Sequence, residues 1–421
     1  MAAQICIGVI GGGSLFTPEL VDLLGKHSGA MGPITIKLMD IDKGRQDVVG
    51  AFCQRLIKKS EKPLTIQYVE NYEEAIKGSD YIFIQFRVGC EQARICDDRI
   101  GLAHRIPFVE TLTVCGLASF LRTYYQMEII AELVKKHAPD AWIMNFSNPS
   151  GVLTEALHKL GCKRVVGVCN GSMSTLSDYA EKLNADPNDL FMNWRGLNHL
   201  AFVDRVTYKG VDVFNKLVEA IGDDEFFPKS LIQNIGYMPI SYLQYYYLKE
   251  KIVDKLQKAE QTRAEEVQAV NVQLFNLYKD ENLTELPEEL VKRGGFGYSR
   301  SVADLIKGIA TNARTVHYAQ IPNGSLLPEL PPDAYVEVPV LAMDDEIRGI
   351  QVEPLPALAK GLVVTMKQYE QLLIQAAKNR SRRELLNAML VNPLFGSQCL
   401  SEPILADILE ANTQFLPAMN G

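Results

Sequence analysis

Three consecutive glycines follow the first apolar segment of the chain, and this pattern is typical of a turn that binds a dinucleotide. The segment ICIGVI precedes the glycines, and a helical pattern begins at Thr17, with Pro18 suited to its first turn. Glycines let the backbone approach a pyrophosphate, and the helix N-terminus offers unpaired N–H groups. A second apolar segment ends at Asp40, a residue type that accepts hydrogen bonds from ribose hydroxyls and favours NAD over NADP. The predicted cofactor-binding residues of the turn are Gly11, Gly12, Gly13, Ser14, Leu15 and Phe16.

The glycine pattern alone leaves other interpretations open, because Phe16 stands where the usual fingerprint has its last glycine. A tight strand-to-helix turn without a ligand has the same local requirements. A site for S-adenosylmethionine or FAD is a further alternative.

Polar residues also follow two later apolar segments. Asn145 and Asn148 lie in WIMNFSNP, and Cys169 and Asn170 end RVVGVCN. Because the carboxyl ends of parallel strands meet at one crevice, we expect these residues and the glycine turn to converge there. By residue type alone, the asparagines suit turn capping equally well, and Cys169 suits a buried structural thiol.

The elements that must position these residues alternate regularly through the first 170 residues. Short apolar segments alternate with amphipathic ones, which predicts a doubly wound parallel sheet of the Rossmann type. From residue 171 the alternation stops, and helical patterns at 240–258, 263–278 and 355–391 flank a β-rich segment at 318–342. We therefore predict an α/β fold with an NAD-binding domain (1–170) and an α+β domain for substrate binding, metal binding and oligomerisation (171–421).

The composition excludes several classes of protein. Hydrophobic residues make up 47% and charged residues 22%, which is ordinary for a globular chain. The formal net charge is −8 and no dense basic face stands out, so we expect no nucleic-acid partner. The chain has no apolar run long enough for a membrane span and no basic leader segment. Eight cysteines without a CxxC pair favour reduced thiols in the cytoplasm.

Several motifs in order along the chain resemble one enzyme family. They are GGGSLFTPEL, QFRVGCEQARICDDRI, WIMNFSNPSG, VVGVCN, GLNHL, SYLQYYY, RGGFGYS, VEVPV and NPL. Together they resemble the NAD- and manganese-dependent glycosidases of glycoside hydrolase family 4, most closely the 6-phospho-β-glucosidases. This family departs from the usual carboxylate-pair mechanism. The resemblance implies that NAD oxidises sugar C3, a base removes the C2 proton, and the C1 oxygen leaves by elimination. Water addition and return of the hydride complete a net hydrolysis.

The resemblance also implies roles for individual residues. Tyr242, in the tyrosine-rich segment, matches the base at C2, whereas Tyr245–Tyr247 suit core packing. Cys169 and His199 match the metal ligands, and these ligand types also suit divalent ions other than Mn²⁺. The residues that match substrate-binding positions are Arg94, Asn148 and Arg263. Asn145 is expected beside the cofactor. The readings of Arg87 as a substrate contact or a surface ion pair stay open.

Asn170 matches a position near the reacting bond. Family members that act on α-glycosides carry Asp there as an acid for the leaving group, and Asn cannot donate a proton in that way. The resemblance therefore favours a β-linkage, with a phosphorylated disaccharide or aryl glycoside as substrate and a homodimer or homotetramer as the assembly.

Two segments depart from the family pattern. Residues 109–117 (VETLTVCGL) keep Glu110 and Thr111 but lack the usual glutamine and Pro-Gly turn, and Gly171–Met173 replaces an apolar-Pro pair. These departures leave room for an unusual substrate, low activity or a non-catalytic NAD- or sugar-binding relative. An ordinary dehydrogenase of the lactate/malate type is a further alternative, although it would give the Cys169–His199 pair no role.

Overall fold

One mixed β-sheet runs through the computed structural model, which describes residues 4–223, 227–293 and 297–420. The strands are β1 (Ile5–Ile10), β2 (Ile34–Met39), β3 (Leu64–Val69), β4 (Tyr81–Ile84), β5 (Trp142–Asn145), β6 (Val165–Gly167), β7 (Leu190–Leu197), β8 (Leu200–Tyr208), β9 (Val211–Asp212), β10 (Met238–Pro239), β11 (Thr315–Pro322), β12 (Tyr335–Met343) and β13 (Glu346–Gly349).

Helices cover both faces of the sheet. They are α1 (Thr17–Met31), α2 (Lys43–Ser60), α3 (Tyr72–Ile76), α4 (Cys90–Ala103), α5 (Thr113–His137), α6 (Ser150–Lys159), α7 (Gly171–Leu183), α8 (Phe214–Ile221), α9 (Lys229–Ile235), α10 (Gln244–Tyr247), α11 (Lys249–Lys258), α12 (Arg263–Tyr278), α13 (Glu289–Lys292), α14 (Tyr298–Thr311), α15 (Ala357–Asn379), α16 (Arg382–Val391) and α17 (Gln398–Ala411). Within the described ranges, none of them combines the length and apolar character needed to cross a bilayer.

The first half of the sheet confirms the predicted Rossmann arrangement. Its strands are parallel and lie in the order β3-β2-β1-β4-β5-β6. Strand order reverses between β1 and β4, and the carboxyl ends beside this point form the crevice where such sheets bind ligands. The glycine turn after β1 therefore lies at the predicted position.

The second half of the chain extends the same sheet instead of building a separate one. Antiparallel β11 pairs with β6 through Gln320 and Gly167, and β12, β7, β8 and β10 follow in order. The core is continuous across this junction. The proposed division at residue 170 stays a prediction.

Two predicted helical segments are broken in the structure. In the segment 240–258, a 3₁₀ turn (Ser241–Leu243) comes first, and the backbone of Leu248 (φ −127°, ψ 37°) separates α10 from α11. In the segment 355–391, Arg380 takes a left-handed conformation (φ +52°) and Ser381 caps α16 by accepting from the Glu384 N–H. The break near 241–243 matters for the site because Tyr242 lies in a 3₁₀ turn and not within a helix.

Residues of the C-terminal half fix the position of α1, the helix that follows the glycine turn. Buried Glu19 on α1 accepts from the backbone N–H of Gly297 (2.8 Å) and of Ser299 (3.2 Å), at the start of α14. The Ser299 hydroxyl donates to the carbonyl of Phe16 (3.3 Å). The start of α1 is therefore fixed by residues about 280 positions away in the sequence.

Candidate active site

The glycine turn is ordered by hydrogen bonds to its neighbours. The N–H groups of Gly11 and Gly12 donate to the Met39 carbonyl (2.9 and 2.8 Å), which joins the turn to the end of β2. Ser14 Oγ lies 3.4 Å from the Phe16 N–H, and the Leu15 carbonyl accepts from the buried Tyr278 hydroxyl (2.8 Å).

Asp40 lies directly against this turn, as the fingerprint requires. Its Oδ2 accepts from the Gly13 N–H (2.8 Å) and its Oδ1 from the Asp42 N–H (2.9 Å). A Cβ on Gly13 would stand 2.8 Å from Asp40 Oδ2 and 3.0 Å from Arg45 Cβ, so only glycine fits here without displacing its neighbours. The carboxylate and the turn form one preorganised unit.

Asn145 and Asn148 lie at the end of β5 with different surroundings. The side chain of Asn145 is fully buried, donates to the hydroxyl of Thr154 (3.0 Å) and accepts from the Ser147 N–H (3.1 Å). Its role in the structure is turn capping, the alternative reading of its residue type. Asn148 is half-buried and begins a cis peptide bond to Pro149.

The structure brings together Cys169, which follows β6, and His199, which lies between β7 and β8. Cys169 Sγ lies 3.4 Å from His199 Nε2, and both side chains are buried. The other ring nitrogen of His199, Nδ1, hydrogen-bonds the hydroxyl of Thr111. When Nδ1 carries the proton and donates it to Thr111, Nε2 has a lone pair that faces the space beside the thiol. Histidine ligands in metal sites are commonly oriented by such a second hydrogen bond.

The environment of the pair suits a divalent cation. Burial lowers the pKa of His199 to about 4 against the opposing effect of Glu110, so the imidazole is neutral at physiological pH. Burial and nearby Glu337 raise the pKa of the Cys169 thiol to about 12, while hydrogen bonds from the Gly171 N–H and the Asn198 side chain act against the rise. A coordinating cation deprotonates such a thiol.

Protein donors supply only part of a coordination shell here. Among the residues that the structure describes, no group of three or more His, Cys, Asp and Glu side chains is arranged to hold a metal ion. A neutral imidazole and a cysteine at one point fit the donor set of an open site, where other positions are left for substrate oxygens and water.

Tyr242 lies against the same histidine. Its ring is stacked on the imidazole of His199, with centroids 3.8 Å apart and an angle of 8° between the planes. Its neighbours are used elsewhere: Tyr247 Oη lies 3.1 Å from Tyr237 Oη, and Tyr246 is packed against the core. The ring of Tyr242 also contacts that of Tyr245, with centroids 6.5 Å apart.

Arginine and glutamate side chains form a cluster around Glu110, the residue that precedes Thr111. Arg87 pairs with Glu91 (2.9 Å) and with Glu110, and Arg94 Nη1 lies 3.8 Å from Glu110 Oε2. Although burial acts in the opposite direction, Arg87 and Arg94 lower the pKa of Glu110 to about 2. Arg293 joins the cluster beside Glu91 (3.9 Å).

Two predicted residues lie at the edge of this site. Arg263 is exposed and pairs with Glu266 one turn along α12 (2.8 Å), while its Nη2 donates to the Arg293 carbonyl (3.2 Å). Asn170 precedes α7, and its amide lies 3.4 Å from Ser174 Oγ. The structure does not bring Arg263 into contact with Arg94 or Asn148.

The unusual segment 109–117 contains the buried Cys115. Its thiol lies 3.2 Å from Asp98 Oδ1, and burial raises its pKa well above the ordinary value. Such a thiol is inert, in agreement with the expectation from residue type.

Sequence reasoning did not single out several residues of the site. Glu337 and Arg293 lie inside the matched motifs VEVPV and RGGFGYS, and Asn198 directly precedes His199. The sequence marks Thr111 only as a residue retained from the family pattern. The sequence feature that could have identified Glu337 and Asn198 is a charged or amide residue inside an otherwise apolar motif.

Comparison with known proteins agrees with this geometry. The model of the family 4 glycosyl hydrolases matches residues 6–185, and the model of their C-terminal domain matches residues 194–395. A probable 6-phospho-beta-glucosidase of Bacillus subtilis strain 168 is 34% identical, with 99% of this chain and 98% of that protein covered. A maltose-6'-phosphate glucosidase of the same strain is 26% identical over 98% of this chain and 97% of its own.

The fold agrees equally well with a solved structure. The 6-phospho-beta glucosidase from Thermotoga maritima, solved with manganese, NAD⁺ and glucose-6-phosphate, has a TM-score of 0.92. It is 32% identical, and the match covers 98% of this chain and 99% of that one. The predicted resemblance is confirmed, and the chain belongs to glycosyl hydrolase family 4.

Proposed function

We propose that this protein hydrolyses 6-phospho-β-glucosides with NAD and Mn²⁺. The observation that carries the proposal is the contact of Cys169 and Tyr242 with the same side chain, His199. These residues belong to a fold whose first strand ends in a glycine turn of the NAD-binding type. A plain dehydrogenase has no use for this cluster. The relatives named above support the choice of substrate.

The proposed roles follow from the position of each group. Cys169 and neutral His199 hold the metal, and Asp40 with Gly11–Phe16 binds the adenosine and pyrophosphate of NAD. Tyr242 takes the proton from sugar C2, because its ring lies directly beside the imidazole of the metal ligand. When bound, NAD supplies a transient oxidation at C3 and the metal acts as a Lewis acid toward the sugar oxygens.

Arg94 is proposed to bind the phosphate of the substrate together with Asn148. It is buried, and its Nε lacks a hydrogen-bond partner among the described residues, so this donor is available to an anion. Arg263 can join them by leaving Glu266, since its Nη2 already reaches the carbonyl of Arg293 in the cluster that contains Arg94. Asn145 is proposed to support the nicotinamide end indirectly, through the turn that it caps.

The preference for a β-linkage depends on Asn170. An amide cannot act as the acid for a leaving group, so substrates whose aglycone departs without that help are favoured. Within the family, relatives named as β-glucosidases are more similar to this chain than the maltose-6'-phosphate glucosidase (34% against 26%), which supports the proposal.

The decisive experiment compares four p-nitrophenyl glucosides: 6-phosphorylated and plain, each as the α- and β-anomer. Purified protein with Mn²⁺, a thiol reductant and substoichiometric NAD is expected to release nitrophenol from the 6-phospho-β-glucoside in many-fold excess over NAD. NADH accumulating in proportion to substrate would instead favour a dehydrogenase. NAD and Mn²⁺ binding without release from any of the four, or from a wider glycoside panel, would favour a non-catalytic relative.

The compartment and assembly belong to the same proposal. All eight cysteines are unpaired in the structure, which supports a reducing compartment such as the cytoplasm. We propose a homodimer or homotetramer, and light scattering after size exclusion tests it. We propose the division into domains at residue 170, which limited proteolysis of the full chain tests.

A further inference from the structure

A buried carboxylate lies on β12, between the two strands, β6 and β7, that precede the predicted metal ligands in the chain. Glu337 on β12 is only 2% exposed and accepts hydrogen bonds from Trp194 Nε1 (2.9 Å), Asn198 Nδ2 (2.8 Å) and Gln320 Nε2 (2.9 Å). Three donors directed at two oxygens match the acceptor-only form of an ionised carboxylate. All three donors are neutral, so these hydrogen bonds bring no counter-charge to the buried anion.

The hydrogen-bond network lies in one row across the sheet. Glu337 pairs in register with Gly196 on β7 and with Gln320 on β11, and Gln320 pairs with Gly167 on β6. The Gln320 amide occupies the place of a side chain on Gly167, where an added Cβ would meet Gln320 Oε1 at 2.0 Å. The row therefore reaches from β6 to β7 through the two strands between them.

The two ends of this row lie directly before the two predicted ligands. Cys169 comes two residues after Gly167, and Asn198 and His199 follow the end of β7. Strands in a sheet lie about 4.8 Å apart, so β6 and β7, with two strands between them, are separated by about 14 Å. The 3.4 Å approach of Cys169 Sγ to His199 Nε2 therefore requires the chain to bend away from the strand direction after β6 and after β7.

Asn198 is the group that connects the row to the pair. Its amide donates to Glu337 Oε2 (2.8 Å), and the next residue in the chain is the predicted ligand His199. The backbone of the next residue, His199, takes a left-handed conformation (φ +60°), which is uncommon for a non-glycine residue and must be maintained by its surroundings.

We propose that Glu337 is a positioning residue for the metal site: acting through Asn198, it sets the approach of Cys169 to His199, and its charge is compensated by the cation bound between them. This inference rests on the proposed assignment of Cys169 and His199 as metal ligands. Outer partners of metal ligands commonly determine the affinity for the ion, because they fix the geometry of the ligands before the ion arrives.

The test is Mn²⁺ binding to metal-free protein by calorimetric titration, with Glu337→Gln and Asn198→Ala as variants. Each is expected to raise the Kd for Mn²⁺ about 10- to 100-fold. Asn198 is half-buried, so its variant keeps the proposal testable if Glu337→Gln does not fold. With Co²⁺ as a probe, the absorption from thiolate-to-cobalt charge transfer is expected to weaken in both variants.

Asn193→Ala is the matched control. Asn193 is buried on the same strand, β7, but its amide donates to Asp204 Oδ1 (2.7 Å), away from the thiol. Its variant is expected to lose thermal stability while keeping the parental Kd for Mn²⁺.

The outcomes separate this inference from the proposed function. An unchanged Mn²⁺ affinity in Asn198→Ala and in a folded Glu337→Gln, with a parent that binds the ion, would overturn the role of Glu337 alone. An equal loss of affinity in Asn193→Ala would also overturn it, since a general loss of stability would then explain the effect. A parent that binds no Mn²⁺ would overturn the metal assignment and this inference together.

Discussion

The imidazole of His199 lies flat against the phenol ring of Tyr242, with centroids 3.8 Å apart and 8° between the planes. The stack places a group that can transfer a proton beside a neutral nitrogen that faces Cys169 Sγ. A phenylalanine preserves this ring contact and removes only the hydroxyl.

Tyr242→Phe is therefore expected to lower the rate of nitrophenol release by about 10²- to 10⁴-fold, the usual contribution of a general base. Calorimetry should show NAD and Mn²⁺ affinities close to those of the parent, since the stack on His199 is kept. Tyr247→Phe, which removes a hydroxyl bonded to Tyr237, is the matched control and should keep its activity. Full activity of the Tyr242 variant would exclude this tyrosine as the base.

Thr111→Val removes the hydrogen bond to His199 Nδ1 at nearly constant volume. The imidazole can then rotate or change tautomer, so the Kd for Mn²⁺ is expected to rise about 10- to 100-fold. Thr175→Val provides the control, because the Thr175 hydroxyl donates to the Gly171 carbonyl inside α7 (2.8 Å). If both variants bind Mn²⁺ like the parent, the Thr111 hydroxyl does not orient the ligand.

The parts of this site that follow local rules could be predicted from the sequence. The glycine turn, the strand that precedes it and Asp40 are close in the chain and were predicted together, whereas the bond from the Gly13 N–H to Asp40 is seen only in the structure. Cys169 and His199 came from the family motifs, because a separation of thirty residues carries no geometric information by itself.

The contacts between distant residues of the site could not be predicted from the sequence, because they depend on strand order and on the direction of the side chains. Glu337 reads as one polar residue in an apolar strand, and its partners Trp194 and Gln320 become visible only when β7, β12 and β11 are known to be neighbours. In the structure Arg263 pairs with Glu266, because side chains three apart on a helix are adjacent, and its contact with the substrate stays a prediction.

The bond from Tyr278 to the glycine turn predicts that the C-terminal half contributes to NAD affinity. Tyr278→Phe leaves the Leu15 carbonyl without its donor, which costs about 0.5–1.5 kcal/mol in the free energy of unfolding. NAD affinity, measured by fluorescence titration, is expected to fall severalfold because the turn becomes less ordered. Tyr318→Phe removes another buried hydroxyl, bonded to the Met192 N–H, and should reduce stability without changing NAD affinity. Equal NAD affinities in both variants and the parent would contradict this prediction.

Gly13→Ala tests the close contact between the turn and Asp40. The added methyl would stand 2.8 Å from Asp40 Oδ2, so either the carboxylate or the turn must move. We expect NAD binding to be lost while the fold is retained in circular dichroism. Gly29→Ala on α1 has open space around its added methyl and is the control, with unchanged NAD binding and a slight gain in stability. Parental NAD affinity in Gly13→Ala would show that the turn does not approach the cofactor as proposed.

The Arg–Glu cluster predicts a dependence of stability on pH that involves Glu110. Arg87 and Arg94 lower its folded-state pKa to about 2 against the effect of burial, whereas its ordinary value is 4.5. The unfolded chain therefore binds a proton first as the pH falls, so the contribution of Glu110 is fully present above pH 4.5 and is lost between 4.5 and about 2. Urea unfolding at a series of pH values should show that Glu110→Gln is less stable than the parent at pH 6 and that the gap narrows as the pH falls through this window. A gap that stays constant from pH 6 to pH 3 would mean that the arginines do not stabilise the charged form of this carboxylate.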